Sequence, residues 1–345
     1  MQNLHLWKNI IELQLSVIIV NYRAYNYLAL CLFSVELAAR GLACEIWVVD
    51  NESDPLQLLP LQQHFPKVNW LINSENIGFA KANNQAILLS KGEYILFLNP
   101  DTMLPENTFK QGLQYLSKHI GVGAIGVQMI NLSGQFLPES KRAFPSLWAS
   151  FTKLTGLWRV FPGSSFLNHY ALGEMGKTGI HAIEVLAGAF MMVRATLVKS
   201  LGGFDEQFFM YGEDIDLSKR ITDAGYAIHY LGCLKIIHCK GASGPYTQHR
   251  DYHFYHSMQL FVRKYQSRYG GAIGLVLLMP AIRIIAILSG WKSKLKTLGF
   301  TTKRSTISAP YLDLEMHTIE AIMAEMDEKP PIGWLVYKAW KIYMG

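Results

Sequence analysis

The chain has 345 residues, with 32 Lys and Arg against 26 Asp and Glu for a formal charge of +6, and is 50% hydrophobic and 17% charged; its pI is near 9.0 and its mean hydropathy is +0.14. These figures exclude a disordered or fibrous chain and allow about two domains at roughly 150 residues each. The basic balance suits an anionic membrane surface or a polyanionic ligand, but basic charge alone does not make a nucleic-acid binder, and no nucleic-acid partner is expected.

Residues 1–15 include Glu12 and have neither a continuous apolar core nor a small-residue cleavage site, so they do not read as a secretory signal. The protein is therefore expected in the cytosol, with the sequon Asn131-Leu132-Ser133 free of glycan. Cys31, Cys44, Cys233 and Cys239 show no CxxC pair or metal-ligand spacing and are expected to be reduced and buried. Regular structure is predicted to begin with the β-branched run 15–21 (LSVIIVN), the pattern of a strand covered on both faces. Runs 44–50 (CEIWVVD), 68–72 and 94–98 (YILFL) repeat it, with helical stretches at 27–39, 56–64 and 80–90 between them. That alternation predicts βαβ units in an α/β, doubly wound sheet. Further on, strands are expected at 125–130, 184–193 and 234–238, with a helix opening near Asp214, and a boundary falls near residue 245.

Two nucleotide fingerprints fail. No GxxxxGK[ST] element exists, and the one GxGxxG, from Gly121 to Gly126, leads into a strand where the dinucleotide loop needs a helix. A nicotinamide dehydrogenase is disfavoured.

In open parallel sheets ligands sit beyond the carboxyl ends of the strands, which singles out Asn21-Tyr22-Arg23, Asp50-Asn51 and Asn99-Pro100-Asp101. An ionised Asp50 closing an apolar strand needs a partner, either the ring N–H of a uracil or thymine or the start of the next helix. Asn99-Pro100-Asp101 is either a proline turn or a ligand for Mg²⁺ or Mn²⁺, which take hard oxygen donors. Glu213, Asp214 and Asp216 crowd one predicted helix start. Acidic groups there complement the helix dipole, yet their mutual repulsion tends to raise one pKa and make a usable general base. His238 reads as structural unless another metal ligand lies nearby. His249, His253 and His256 share a helical face that no carboxylate or cysteine joins, the pattern of a half-buried helix packed on the preceding domain. Residues 271–289 approach the ~20 needed to span a bilayer. Pro280 and Arg283 interrupt them and cations flank both ends, so this segment is expected to lie in, or re-enter from, the interface of an anionic membrane, with a spanning helix and a buried helix as the alternatives.

Taken together, LSVIIVNY, EIWVVDNES, the run from Asn76 to Asn84, FLNPD, LAGAFMMVR, GGFDEQFFMYGEDIDLSKR and HCKGAS resemble the family 2 inverting glycosyltransferases, in their rhamnosyltransferase-like branch. The resemblance spans about residues 15–265. It implies the A-type glycosyltransferase fold, a Rossmann-like, mostly parallel sheet whose nucleotide-sugar half covers about 15–123 and whose acceptor half covers about 124–245. A helical, membrane-associating appendage follows over 246–345. It further implies a nucleotide-diphosphate sugar donor, Mg²⁺ or Mn²⁺, and a glycan acceptor, which the greasy segment suggests is lipid-linked. The enzyme would then sit at the cytosolic face of the membrane in bacterial surface polysaccharide synthesis.

By position, Asp50 resembles the nucleobase ligand, with Asn21, Tyr22, Asn76, Gly78, Lys81, Asn84 and Asn99 on the donor side. Asn99-Pro100-Asp101 matches the DxD motif, leaving Asp101 and His238 as metal ligands. Asp214 resembles the catalytic base, and Gly188 and Glu213 line the acceptor side. Asn99 replaces the first DxD carboxylate and Asn83-Asn84 stands where many relatives have Arg-Asn, with Lys81 as the cation left for the diphosphate. The alternative is a nucleotide-sugar-binding or scaffolding protein of the same fold.

Overall fold

The computed structural model describes residues 13–145, 169–239 and 247–265, together with Pro280. Strand β1 (Leu15–Asn21) is buried along its whole length. Its odd positions Leu15, Val17 and Ile19 join one apolar cluster, while Ile18 and Val20 join another on the opposite face. A strand whose two faces both meet helices needs apolar residues at every position, which is why this run lacks polar alternation.

The order continues α1 (Tyr25–Ala38), β2 (Cys44–Asn51), α2 (Pro55–His64), β3 (Val68–Asn73), α3 (Phe79–Leu89) and β4 (Tyr94–Leu98). Then come β5 (Thr102–Met103), α4 (Thr108–Lys118), β6 (Val122–Ile130), β7 (Ile180–Ile183), β8 (Phe190–Arg194), α5 (Ala195–Ser200), α6 (Glu213–Asp223), β9 (Ala227–His238) and α7 (Thr247–Lys264). α1, α2 and α4 cover one sheet face, and α3, α5 and α6 the other.

Strand order is β3-β2-β1-β4-β8-β6-β9-β5, with β7 also on β9. β3, β2, β1 and β4 run parallel, as the alternation of strands and helices requires. The expected mostly parallel sheet is nevertheless corrected to a mixed one. β8 lies antiparallel to both β4 and β6, and β5 and β7 are antiparallel to β9. The expected strand 184–193 is also corrected, because residues 184–189 leave the sheet between β7 and β8. Val185 exchanges both backbone hydrogen bonds with Arg142 instead of with a neighbouring strand (2.9 and 3.3 Å). β9 starts well before residue 234, and its register against β6 slips between Val127 and Gln128. Cys233 lies in that slip and is exposed, contrary to expectation; Cys31 is buried, and all four cysteines are free. Gly123 and Gly126 of the GxGxxG run lie within β6, where a Cβ at Gly123 would come 2.7 Å from Leu197.

α7 packs on the domain as its pattern predicts, with Phe261 and Val262 buried against Phe144, Val185 and Phe208. His253 stacks on Phe209 (4.7 Å) and His256 on Tyr252 (5.8 Å), while the His249 side chain lies outside the described residues. The segment 271–289 and residues 240–243 also lie outside them, Pro280 apart. Among the described residues no helix is long and apolar enough to cross a membrane.

Gly78 caps α3 with φ 88° and ψ 164°, a region essentially closed to residues with a Cβ. A Cβ there would sit 2.7 Å from the Phe209 carbonyl oxygen, which already accepts the Phe79 N–H at 2.8 Å. Gly78→Ala is therefore expected to cost about 2–5 kcal/mol from strain plus overlap, or roughly 5–15 °C in Tm. Gly41→Ala, at φ +74° with nothing within 4 Å, should lose less. Scanning calorimetry of both variants checks the difference, and equal losses would refute the overlap.

Candidate active site

The carboxyl ends of β1 and β2 present register partners Asn21 and Asp50. Asn21 Nδ2 donates to Asp50 Oδ1 (2.6 Å) and the Tyr25 hydroxyl to Oδ2 (3.0 Å), and Asp50 is fully buried. Burial pushes its pKa above the ordinary carboxylate value, while hydrogen bonds from Ser53, Asn21 and Tyr25 pull the other way. Both oxygens thus already hold protein partners that lock β1 to β2. Just outside, Tyr22 donates to Glu52 (2.7 Å) and Arg23 forms an ion pair with Glu52. Arg23 and Glu52 both have positive φ, +53° and +55°, conformations that cluster where a fold holds a site in shape.

Several expected donor-side residues are committed to the scaffold. Asn76 Oδ1 accepts from the Gly78 N–H (3.0 Å) and from Asn51 Nδ2 (3.3 Å), shaping the entry to α3. Asn84 donates to the Phe204 carbonyl (2.9 Å) and Glu206 (3.0 Å) and accepts the Phe204 N–H (2.9 Å). Its amide is spent on the 203–206 turn, away from the strand ends. Lys81 is exposed on the first turn of α3.

Asp101 and His238 are brought together from residues far apart in the chain, because β5 pairs Thr102 with His238 on β9. The Asp101 carbonyl accepts the Cys239 N–H (2.8 Å), and His238 Nε2 lies 3.3 Å from Asp101 Oδ1. Both side chains are buried, yet among the described residues neither Asp101 Oδ1 nor His238 Nδ1 has a hydrogen-bond partner. Orphaned buried donors and acceptors are costly unless something else satisfies them. Among the described residues no third His, Cys, Asp or Glu completes a metal cage. Mg²⁺ and Mn²⁺ commonly bind through one or two side chains plus substrate phosphates, so the pair fits such an ion without a cage.

Glu213, Asp214 and Asp216 all fall in the first turn of α6, and their surroundings separate them. Asp216 is fully buried and neutralised, accepting from Arg220 Nε (2.8 Å) and the Tyr265 hydroxyl (2.7 Å), with Lys264 Nζ at 2.6 Å. It ties α6 to α7. Glu213 is buried with Oε2 unpartnered among the described residues, and desolvation, then the neighbouring Asp214 charge, push its pKa up to about 8. Its carboxyl holds a proton near neutrality. Asp214 keeps some exposure, 14% of its side chain, and is paired with Arg142 at 2.5 Å. The Gly188 N–H also reaches Asp214 Oδ2, at 3.3 Å.

The two acidic centres flank one short loop. Ala189, next to Gly188, accepts the Asn99 N–H (3.1 Å), so adjacent residues of one loop hydrogen-bond Asp214 and the start of the Asn99-Pro100-Asp101 turn. Arg142 and Tyr25 are contributors the sequence reading missed. Tyr25 falls just before the helix expected from residue 27, and the structure starts α1 at Tyr25 itself. The signal for Arg142 is the pair Lys141-Arg142 directly before the apolar Ala143-Phe144 and Pro145.

Residues 16–176 match the family model described as Glycosyl transferase family 2. Rhamnosyltransferase WbbL of Escherichia coli K12 is 30% identical over 211 residues, 55% of this chain and 71% of its own length. The N-acetylglucosaminyl-diphospho-decaprenol L-rhamnosyltransferase of Mycobacterium tuberculosis is 27% identical over 242 residues, 66% of this chain and 77% of its own. Low-salt glycan biosynthesis hexosyltransferase Agl10 of Haloferax volcanii is 25% identical over 228 residues, 65% of this chain and 66% of its own. A half-parallel sheet with its polar residues gathered at the strand ends, matched by these relatives over most of their length, makes this chain a member of glycosyltransferase family 2.

Proposed function

We propose that the protein transfers a sugar, rhamnose first among candidates, from a nucleoside-diphosphate donor to a hydroxyl of a lipid-linked glycan, inverting the anomeric centre. The observation that carries this reading is the Gly188-Ala189 connection, whose backbone hydrogen-bonds Asp214 at one residue and Asn99, two residues before Asp101, at the next. Single displacement needs a base on one side of the sugar and charge stabilisation on the other, the logic inverting glycosidases apply to water.

In this scheme Asp214 accepts the proton of the acceptor hydroxyl as that oxygen attacks the anomeric carbon. The sugar–phosphate bond breaks and the diphosphate leaves toward Asp101. Asp101 and His238 would hold Mg²⁺ or Mn²⁺, which when bound offsets the charge developing on the leaving phosphate. Asn99, in place of the first DxD carboxylate, leaves one anion fewer there. That feature favours a second reading, a nucleotide-sugar-binding protein without turnover.

The two relatives named as rhamnosyltransferases support the donor sugar, and the decaprenol in one name supports the lipid-linked acceptor. The basic, greasy region after residue 265 motivates attachment to the cytosolic face of a membrane. The test is thermal-shift screening of the full chain against nucleotide sugars with and without Mn²⁺, followed by transfer to a polyprenyl-diphosphate-linked acceptor. Transfer with inverted stereochemistry is expected; binding without donor hydrolysis or transfer would favour the second reading.

A further inference from the structure

We propose that Arg142 is the positioning residue of the site, orienting Asp214 so that Oδ1 faces the incoming hydroxyl. The inference rests on the reading of Asp214 as the base. Arg142 comes from irregular backbone before residue 145, and its two backbone hydrogen bonds to Val185 anchor it to the loop between β7 and β8. Its Nη2 donates both to Asp214 Oδ2 (2.5 Å) and to the Leu186 carbonyl (2.6 Å). One nitrogen therefore joins the base to the loop that also carries Gly188 and, through Ala189, meets Asn99.

The carboxylate is held asymmetrically. Oδ2 accepts from Arg142 and from the Gly188 N–H, which fills its two lone-pair positions, whereas among the described residues Oδ1 accepts only from the Ile215 N–H. Oδ1 keeps a free lone pair, and the arginine fixes the plane in which it points. Asp214 and Glu213 are adjacent carboxyls, and the guanidinium lies against Asp214 while burial, then the Asp214 charge, raise the Glu213 pKa. Asp216, the other carboxylate on this turn, is already matched by Arg220 and Lys264 and does not compete for Arg142. Tyr170, 3.5 Å from Nη1, is the remaining titratable contact of the guanidinium.

The experiment compares Arg142→Gln, Arg142→Lys and Asp214→Asn in the full chain, measuring kcat, donor KM and donor Kd. Arg142→Gln is expected to lower kcat about 100-fold, with donor Kd within about three-fold of wild type, because misplacing a base costs rate and not donor affinity. Arg142→Lys keeps the charge but not the planar two-way bond and should fall between. Added guanidinium should restore part of the rate of Arg142→Gln and leave wild type unchanged. A kcat within about three-fold of wild type, or a lower kcat that added guanidinium does not rescue, would overturn the proposal. If Arg142→Gln fails to fold, Arg142→Lys decides by the same split between kcat and donor Kd. An inactive Asp214→Asn beside an unaffected Arg142→Gln sinks the positioning role alone; a fully active Asp214→Asn sinks the base assignment beneath it.

Discussion

Asp214→Asn is expected to lower transfer by about 10²–10⁴-fold, the range contributed by a positioned general base, while donor Kd changes little. Asparagine keeps an oxygen for the Gly188 N–H and for Arg142 but cannot take a proton, so the variant separates chemistry from architecture. Neither neighbour can substitute. Glu213 holds its proton up to about pH 8 because burial and the Asp214 charge disfavour a second anion. Asp216 is fully buried, with Arg220, Tyr265 and Lys264 occupying both its oxygens. The variant also leaves Arg142 without its counter-ion. Breaking a fully buried pair costs about 3–5 kcal/mol, and the 13% and 14% exposure of these side chains argues for the low end or below. Equilibrium binding of the donor nucleotide and a melting curve therefore accompany the rate measurement. Near wild-type turnover in a folded Asp214→Asn would remove Asp214 from the mechanism.

The first hundred residues were legible because their physics is local. A strand covered on both faces shows a continuous β-branched run, and 15–21 and 94–98 end where the structure ends them. From residue 124 onward the decisive partners are distant. Val185 leaves the sheet for Arg142, and Cys233 bulges outward where β9 slips against β6, features that no window of ten residues encodes. The site divides the same way. That polar groups would gather at the ends of β1, β2 and β4 follows from strand direction, and the DxD-like turn with its histidine was placed by resemblance. The separate fates of Glu213, Asp214 and Asp216 depend on which cation reaches each one, and Arg142, Arg220 and Lys264 arrive from three different segments. Asn84 shows the converse. Its place in the matched run implies donor contact, but the turn at 203–206 takes its amide first.

Asp101→Asn and His238→Ala are each expected to lower kcat by about 10²–10³-fold, the cost of removing one element that stabilises developing charge. Both side chains are buried, and among the described residues Asp101 Oδ1 and His238 Nδ1 have no hydrogen-bond partner. Such groups are retained at a cost to stability, so their removal should leave Tm unchanged or raised while activity falls. If they act by holding a divalent ion, chelation of wild type should reproduce the loss in either variant, and chelation of a variant should add little to it, because groups acting as a unit are strongly non-additive. Titrating Mn²⁺ back should restore wild type, with Asp101→Asn requiring more ion, since losing a carboxylate leaves His238 and the donor diphosphate as the remaining ligands. A wild-type rate indifferent to chelation, with both variants still impaired, would instead assign Asp101 and His238 to direct contact with the donor, and the diphosphate would then depart without ionic help from this pair.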